Sequence, residues 1–217
     1  VSATGTVTLK TGAEVKIGSR ISGQLEQLFV QIGDSVKAGE VIAVIEHFDL
    51  DSRVAQRNAE LSAQRARLEK IADEGPLEIN KARAEYEEIE AQIGLAEKML
   101  KRNQELSDKG VVSVTVLDES QEKLKVIKAR YRSAEETLRL KEAQLENDIR
   151  LGEANVDKAK ADLQEVKTQL SYATVVAPIN GTVASISTQK GETVAASLNS
   201  PTFVTLVDLN KLEVTVY

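Results

Sequence analysis

Residues 79–100 read INKARAEYEEIEAQIGLAEKML. Ile79, Ala82, Tyr86, Ile89, Ile93, Ala96 and Leu100 recur there in alternating steps of three and four, the seam of a helix that packs lengthwise on another helix. The residues between them are mostly Glu, Lys, Gln, Arg and Ala, which favour helix and stay in water. Leu68, Leu61 and Val54 extend the same seam toward the N-terminus. A second stretch repeats the pattern with Leu124, Ile127, Tyr131, Ala134, Leu138 and Leu145, then Val156, Ala159, Leu163, Val166 and Leu170. Each stretch predicts one long helix.

Folded back antiparallel, the two seams match in a single register. Leu100 falls opposite Leu124, Ile93 opposite Tyr131, Tyr86 opposite Leu138 and Ile79 opposite Leu145. The match continues with Leu68 opposite Val156, Leu61 opposite Leu163 and Val54 opposite Leu170, which puts the fold-back near Val112. Both arms share one irregular step, Leu68 to Ile79 and Leu145 to Val156, a stutter that locally unwinds a supercoil. Gly75-Pro76 falls inside it, so the missing amide of Pro76 is expected to kink or interrupt the first helix there. At 1.5 Å per residue, arms of about 55 residues reach roughly 80 Å. Within the helices Glu97 with Lys101, Glu119 with Lys123, Glu135 with Arg139 and Glu146 with Arg150 have the spacing of supporting ion pairs.

The rest of the composition fits thin, solvent-rich architecture. Of 217 residues only 3% are aromatic, none is Trp, and 29% are charged, so large anchors for a thick core are scarce. The net charge of -6 is dispersed, with no basic block to track a phosphate backbone, which argues against nucleic acid as a partner. Without Cys there is no disulfide framework and no thiolate metal cluster. No run of about 18 apolar residues is present, and residue 1 opens directly into an alternating strand pattern of Val1, Ala3, Val7 and Leu9. Neither a signal peptide nor a membrane span is expected within these residues. Leu212 to Tyr217 also alternates as a strand, so the sequence reads as part of a longer protein.

Glycine and proline mark β structure on both sides of the helices. Turn glycines stand at Gly12, Gly18, Gly23, Gly33 and Gly39, and the pattern resumes with Pro178, Gly181, Gly191 and Pro201. The two β sections repeat one another. Ile21-Ser22-Gly23-Gln24-Leu25 matches Ile179-Asn180-Gly181-Thr182-Val183. Ten residues after each middle glycine comes Gly33-Asp34-Ser35-Val36 or Gly191-Glu192-Thr193-Val194. Equal spacing of glycines, each followed by acid, hydroxyl and Val, predicts two copies of one β unit with the same turns.

This repeat resembles the biotinyl/lipoyl domain, a small β sandwich of two quasi-symmetric halves. In carrier members a modified Lys sits at the turn between the halves. Here the first half ends Val44-Ile45-Glu46-His47-Phe48-Asp49 with no Lys, so neither lipoate nor biotin is expected and no cofactor is implied. A lipoyl domain split by a helical hairpin resembles the periplasmic adaptor (membrane fusion, HlyD-like) superfamily. The matching segments are Thr4-Gly5-Thr6-Val7, Gly33 to Gly39, and Ala177-Pro178-Ile179-Asn180-Gly181-Thr182-Val183; Leu170 to Pro178 is most similar to the MacA-type adaptors.

The resemblance implies an α+β fold: a long antiparallel coiled-coil hairpin inserted into a split lipoyl-like β sandwich, with stubs of a β-barrel domain at both ends. The expected divisions are 1–20 for β-barrel strands or linker, 21–48 for the first lipoyl half, 49–172 for the hairpin, 173–209 for the second half and 210–217 for the start of the β-barrel. It implies a non-enzymatic periplasmic subunit, anchored to the inner membrane through a segment outside this sequence. Its implied partners are a TolC-like outer-membrane channel, an inner-membrane ABC transporter of the MacB type, and further copies of itself in a hexamer. The alternatives are an adaptor for an RND or MFS pump or a type I secretion system, a plain coiled-coil spacer, and a biotin or lipoyl carrier.

Adaptors that dock on such channels carry Arg, Leu four residues on and Ser seven further, at the hairpin tip. Arg102, Leu106 and Ser113 match that spacing, and the register independently places the turn beside them. One helical turn apart, Arg102 and Leu106 offer a donor fork beside an apolar knob. Ser113, or Thr115 with Asp118 in a capping box, is expected to start the second helix, and Gly110 to take the left-handed conformation. Structural roles alone, with Leu106 closing the seam, Arg102 solvated and Ser113 capping, would also produce these residues. His47, the sole His, reads as a junction residue. Asn180-Gly181-Thr182 matches a glycosylation sequon but reads better as a turn. No acid, base and nucleophile converge, so no catalytic or metal-binding residue is expected.

Overall fold

The computed structural model describes residues 5–10, 12–196, 202–209 and 211–216. Val1, Ala3, Pro201 and Tyr217, read above as strand or turn positions, lie outside the described residues. In chain order the strands β1 (Gly5–Leu9), β2 (Glu14–Gly18), β3 (Gly23–Leu28), β4 (Ser35–Val36) and β5 (Val41–Ile45) precede two helices, α1 (Phe48–Asp108) and α2 (Val114–Ser171). Then come β6 (Thr174–Val176), β7 (Gly181–Ile186), β8 (Thr193–Val194), β9 (Thr202–Val207) and β10 (Leu212–Val216). The fold is α+β, a helical hairpin inserted into a β domain. The chain divides into two compact units, Val1–Ala59 with Ala161–Tyr217, and Glu60–Lys160.

The first unit holds two four-stranded sheets, ordered β2-β9-β7-β4 and β6-β5-β3-β8, and a β1-β10 pair. The repeat read from the sequence becomes an interlock, because each half lends its short strand to the other half's long one. In β4 and β7, Ser35 faces Thr182 and Val36 faces Gly181; in β3 and β8, Gly23 faces Val194 and Gln24 faces Thr193. Gly33 and Gly191 take matching positive φ of 96° and 91°, and their amides donate to Val183 and Leu25 at 2.9 and 2.8 Å. The side chains repeat as well: Ala38 N–H donates to Asn180 Oδ1 (2.7 Å) and Ala196 N–H to Ser22 Oγ (2.9 Å). Asn180 thus ties the two halves together.

Between the sheets, Leu25, Ile42, Ile45, Val183, Phe203, Val204 and Leu206 are fully buried. Burial of each large apolar side chain contributes about 1.5–3 kcal/mol, so the core rests on aliphatics with Phe203 as its one large ring. Gly23 and Gly181 are small for the same reason in both halves. An added Cβ would lie 2.7 Å from Ile45 Cγ2 at Gly23 and 2.8 Å from the Val207 carbonyl oxygen at Gly181. One expected boundary shifts. β2, assigned above with the terminal segment 1–20, pairs with β9 and buries Ile17 in the sandwich core.

In the second unit the helices pair along the expected seam, with Ala82, Ala96, Leu124, Ile127 and Ala134 buried. Glu97 with Lys128 (3.0 Å) and Arg83 with Glu142 (3.2 Å) bridge the arms at the levels the register requires. The details differ in three places. Tyr86 meets Tyr131 rather than Leu138, with ring centroids 5.0 Å apart and their hydroxyls hydrogen-bonded. That hydrogen bond pushes the Tyr86 phenol up to about 12. Of the expected ion pairs, Glu97 bonds Lys128 instead of Lys101, Arg139 bonds Glu136 instead of Glu135, and Arg150 bonds Asn147 instead of Glu146. At these three positions another partner lies within reach, although i,i+4 pairs such as Lys70 with Glu74 form elsewhere on the helices.

The third difference concerns Gly75-Pro76, where α1 runs on uninterrupted. Gly75 is a hole for a leucine: a Cβ there would lie 2.1 Å from Leu145 Cδ1. Gly152 does the same for Leu68, whose Cδ1 would lie 2.8 Å from a Cβ at 152. The stutter in both arms is therefore filled by two reciprocal knobs, Leu145 on Gly75 and Leu68 on Gly152. This packing holds α1 together where Pro76 removes one amide donor.

Candidate functional site at the hairpin tip

The turn between α1 and α2 occupies residues 109–113, as the register required. Its closure is a Schellman motif: Val111 N–H donates to the Leu106 carbonyl and Gly110 N–H to the Ser107 carbonyl, both at 2.9 Å. Gly110 supplies the positive φ, 72°, that a side chain would disfavour. Leu106 is half-buried and its backbone is held by the cap, so its side chain stands in a defined place. Ser113 immediately precedes α2, and its carbonyl accepts from Val116 N–H at 3.1 Å. Ser113, not Thr115, therefore takes the N-cap position, and Thr115 lies within the helix.

Two turns below the tip a polar bridge closes the seam, with Asn103 Nδ2 donating to Ser120 Oγ and Ser120 Oγ donating to the Val116 carbonyl (2.8 Å). Arg102 sits beside this bridge on the exposed side. Among the described residues its guanidinium has neither an ion pair nor a hydrogen bond. A free fork of five donors next to a half-buried leucine is a ready surface for a partner's carbonyls or carboxylates. The fold gathers Arg102, Leu106 and Ser113 into the last two turns of α1 and the connection that follows.

The sequence reading passed over the valines around them. Val111 and Val114 are each 67% exposed and Val116 is 38% exposed, an apolar crown at the tip. The available signal was the run Val111-Val112-Ser113-Val114, apolar in a turn where polar residues are the rule. Elsewhere, His47 accepts the first backbone bond of α1 from Asp51 (2.9 Å), and its Nδ1 lies 2.7 Å from Asp51 Oδ2. His47 is a helix-start residue with its ring nitrogen engaged. The chain passes from β5 through Glu46 and His47 into α1, so the turn that bears the modified Lys in carriers is replaced by a helix.

Comparison with known proteins agrees with this architecture. The family model described as RND MFP, barrel-sandwich hybrid domain, matches residues 13–206. A curated relative, the macrolide export protein MacA of Yersinia pestis, is 30% identical over 204 residues, covering 92% of this chain and 44% of the relative. The chain thus spans less than half the length of the curated relatives it matches. The crystal structure of MacA from Actinobacillus actinomycetemcomitans aligns at a TM-score of 0.53 with 23% identity, over 99% of this chain and 54% of that one. The soluble domain of LipC, a membrane fusion protein of a type I secretion system, aligns at 0.55 with 12% identity, over 90% and 99%. Both share the fold. With the family model covering most of the chain, from β2 through β9, this protein belongs to the membrane fusion protein family and is MacA-like within it.

Proposed function

We propose that the chain is the adaptor part of a tripartite efflux pump, bridging a MacB-type ABC transporter in the inner membrane to a TolC-like outer-membrane channel. The family is one of non-enzymatic adaptors, and the similarity to MacA supports the ABC-driven class. The observation that carries the reading is the tip, where Arg102, unpaired among the described residues, stands with a cap-held Leu106 and the N-cap Ser113 among exposed valines. Arg102 supplies a planar donor fork to the channel's polar groups, and Leu106 with the valine crown supplies apolar contact that excludes water around it.

On this reading the protein is periplasmic, held at the inner membrane by a segment outside this sequence, and assembles as a hexamer. No helix among the described residues is long and apolar enough to cross a membrane. Energy for transport comes from the partner transporter. The test is Arg102→Asp and Leu106→Ala in the full-length adaptor, measured by co-purification with the channel and by drug export. Each is expected to weaken channel binding at least tenfold, about 1.4 kcal/mol, with helix content unchanged. Full binding and export in both variants would refute the docking role.

A further inference from the structure

β2 ends one sheet of the sandwich and β6 ends the other, and among the described residues neither free edge is paired with another strand. On β6 the Ala173 carbonyl accepts from Ile45 N–H at 2.9 Å and Ala177 N–H donates to the Glu40 carbonyl at 2.8 Å, so Ala173, Val175 and Ala177 face β5. The alternation of an antiparallel strand then turns the amides and carbonyls of Thr174 and Val176 outward. On β2 the Ala13 carbonyl accepts from Asp208 N–H at 2.8 Å, and the same alternation turns the backbone of Lys16 away from β9. Each strand thus presents donors and acceptors that its own sheet does not use.

Both edges open on one cavity within the first unit. Its volume is about 410 Å³, inside the range of roughly 300–1,000 Å³ usual for ligand-binding clefts. Ile17, Val175 and Pro178 give it apolar walls, and Lys16 and Arg20 stand at it as cations. Among the described residues no acid lines it, although the chain as a whole carries a net charge of -6. Arg20 is positioned in advance: its guanidinium lies over the Tyr172 ring, 5.2 Å from the centroid, and has no ion pair among the described residues. Lys16 lies 3.8 Å from Glu14 with both side chains exposed, a contact that solvent screens and a competing carboxylate can replace.

We propose that this cavity takes an extended acidic segment of a partner protein, which adds as a strand to the free edge of β6 and sets its carboxylates against Arg20 and Lys16. Thr174 and Val176 provide the main-chain hydrogen bonds, and the Val176 side chain, 44% exposed, provides apolar contact. Charge selects the occupant. A cation beside an open edge repels basic strands and would be left unpaired under a neutral one, which is how such edges are guarded against chance pairing. An acidic strand meets the same cations as partners for its carboxylates. This adds a second recognition site to the adaptor reading and does not rest on the hairpin tip.

The probe is a blocked, fluorescently labelled peptide of alternating valine and glutamate, added to the full-length protein and followed by anisotropy. Saturable binding is expected, and Arg20→Glu is expected to weaken it at least tenfold with the circular dichroism spectrum unchanged, since the side chain is exposed. Lys16→Glu, also at an exposed position, is expected to weaken it severalfold. The peptide with glutamine in place of glutamate is expected to bind at least tenfold more weakly. A fully N-methylated version keeps the charges but loses every amide donor, and is expected not to bind. Failure of the valine–glutamate peptide to bind, equal binding by the N-methylated peptide, or undiminished binding in both Arg20→Glu and Lys16→Glu would each overturn the proposal. Loss of self-association by sedimentation in Arg20→Glu with peptide binding unchanged would assign the edge to contacts between copies, and would overturn it too.

Discussion

The same substitution at two glycines of α1 is expected to have opposite signs. Gly94 has nothing within 4 Å of an added Cβ, so Gly94→Ala gains helix propensity unopposed, about 0.5–1 kcal/mol. Gly75→Ala has the same intrinsic gain, but its Cβ would lie 2.1 Å from Leu145 Cδ1 and 3.0 Å from Cγ and Cδ2. Three atoms of one leucine cannot be cleared by a small rotation, so the knob is displaced from its hole. Overpacking of this kind costs about 1–3 kcal/mol, which exceeds the propensity gain and leaves a net loss of roughly 1 kcal/mol. In a Leu145→Ala background the obstacle is gone and Gly75→Ala becomes stabilising, so the cycle should show coupling of about 2 kcal/mol. Urea titration followed by circular dichroism measures each corner, and thermal melts should move by about 2–4 °C per kcal/mol. If Gly75→Ala stabilises as Gly94→Ala does, the knob at the stutter is not what holds the arms together.

Further outcomes follow from the sandwich and the tyrosine pair. Gly33→Ala and Gly191→Ala should each destabilise by about 1 kcal/mol and by equal amounts in denaturant titrations, because the two glycines hold equivalent left-handed turns with φ of 96° and 91°. Gly181→Ala should cost more, about 2 kcal/mol or above, since its Cβ would meet the Val207 backbone oxygen at 2.8 Å and backbone cannot rotate away. Tyr86 should ionise near pH 12 in an ultraviolet titration, and Tyr131→Phe should bring it back toward 10 by removing the hydrogen bond that raises it. The folded-state pKa lies above the unfolded one, so this stabilisation is complete below about pH 10 and is lost as pH rises toward 12. A pH-independent contribution across that window would contradict the assignment.

The tip illustrates how far a site can be read before its structure is known. Arg102, Leu106 and Ser113 were singled out because they match the motif that the family resemblance implies, while the register alone placed the turn beside them, because helical periodicity is a one-dimensional property. The Schellman closure at Gly110 was likewise implied by a glycine after the last helical turn. The exposed Val111, Val114 and Val116 were not recognised, since exposure depends on which residues the seam leaves uncovered. That Arg102 lacks a partner among the described residues was also invisible, because the basic and acidic side chains around it choose among several neighbours only in three dimensions.

By itself the sequence determined the two long helices, their register, the turn near Val112 and the duplicated β unit, all consequences of periodic spacing along one chain. Only the tertiary structure decided that β4 pairs with β7 and β8 with β3, that β2 joins the sandwich, and that Gly75 and Gly152 are holes for leucines. Those contacts join residues far apart in sequence. Their selection depends on which surfaces fit within a fraction of an ångström, and spacing along the chain does not encode such a fit.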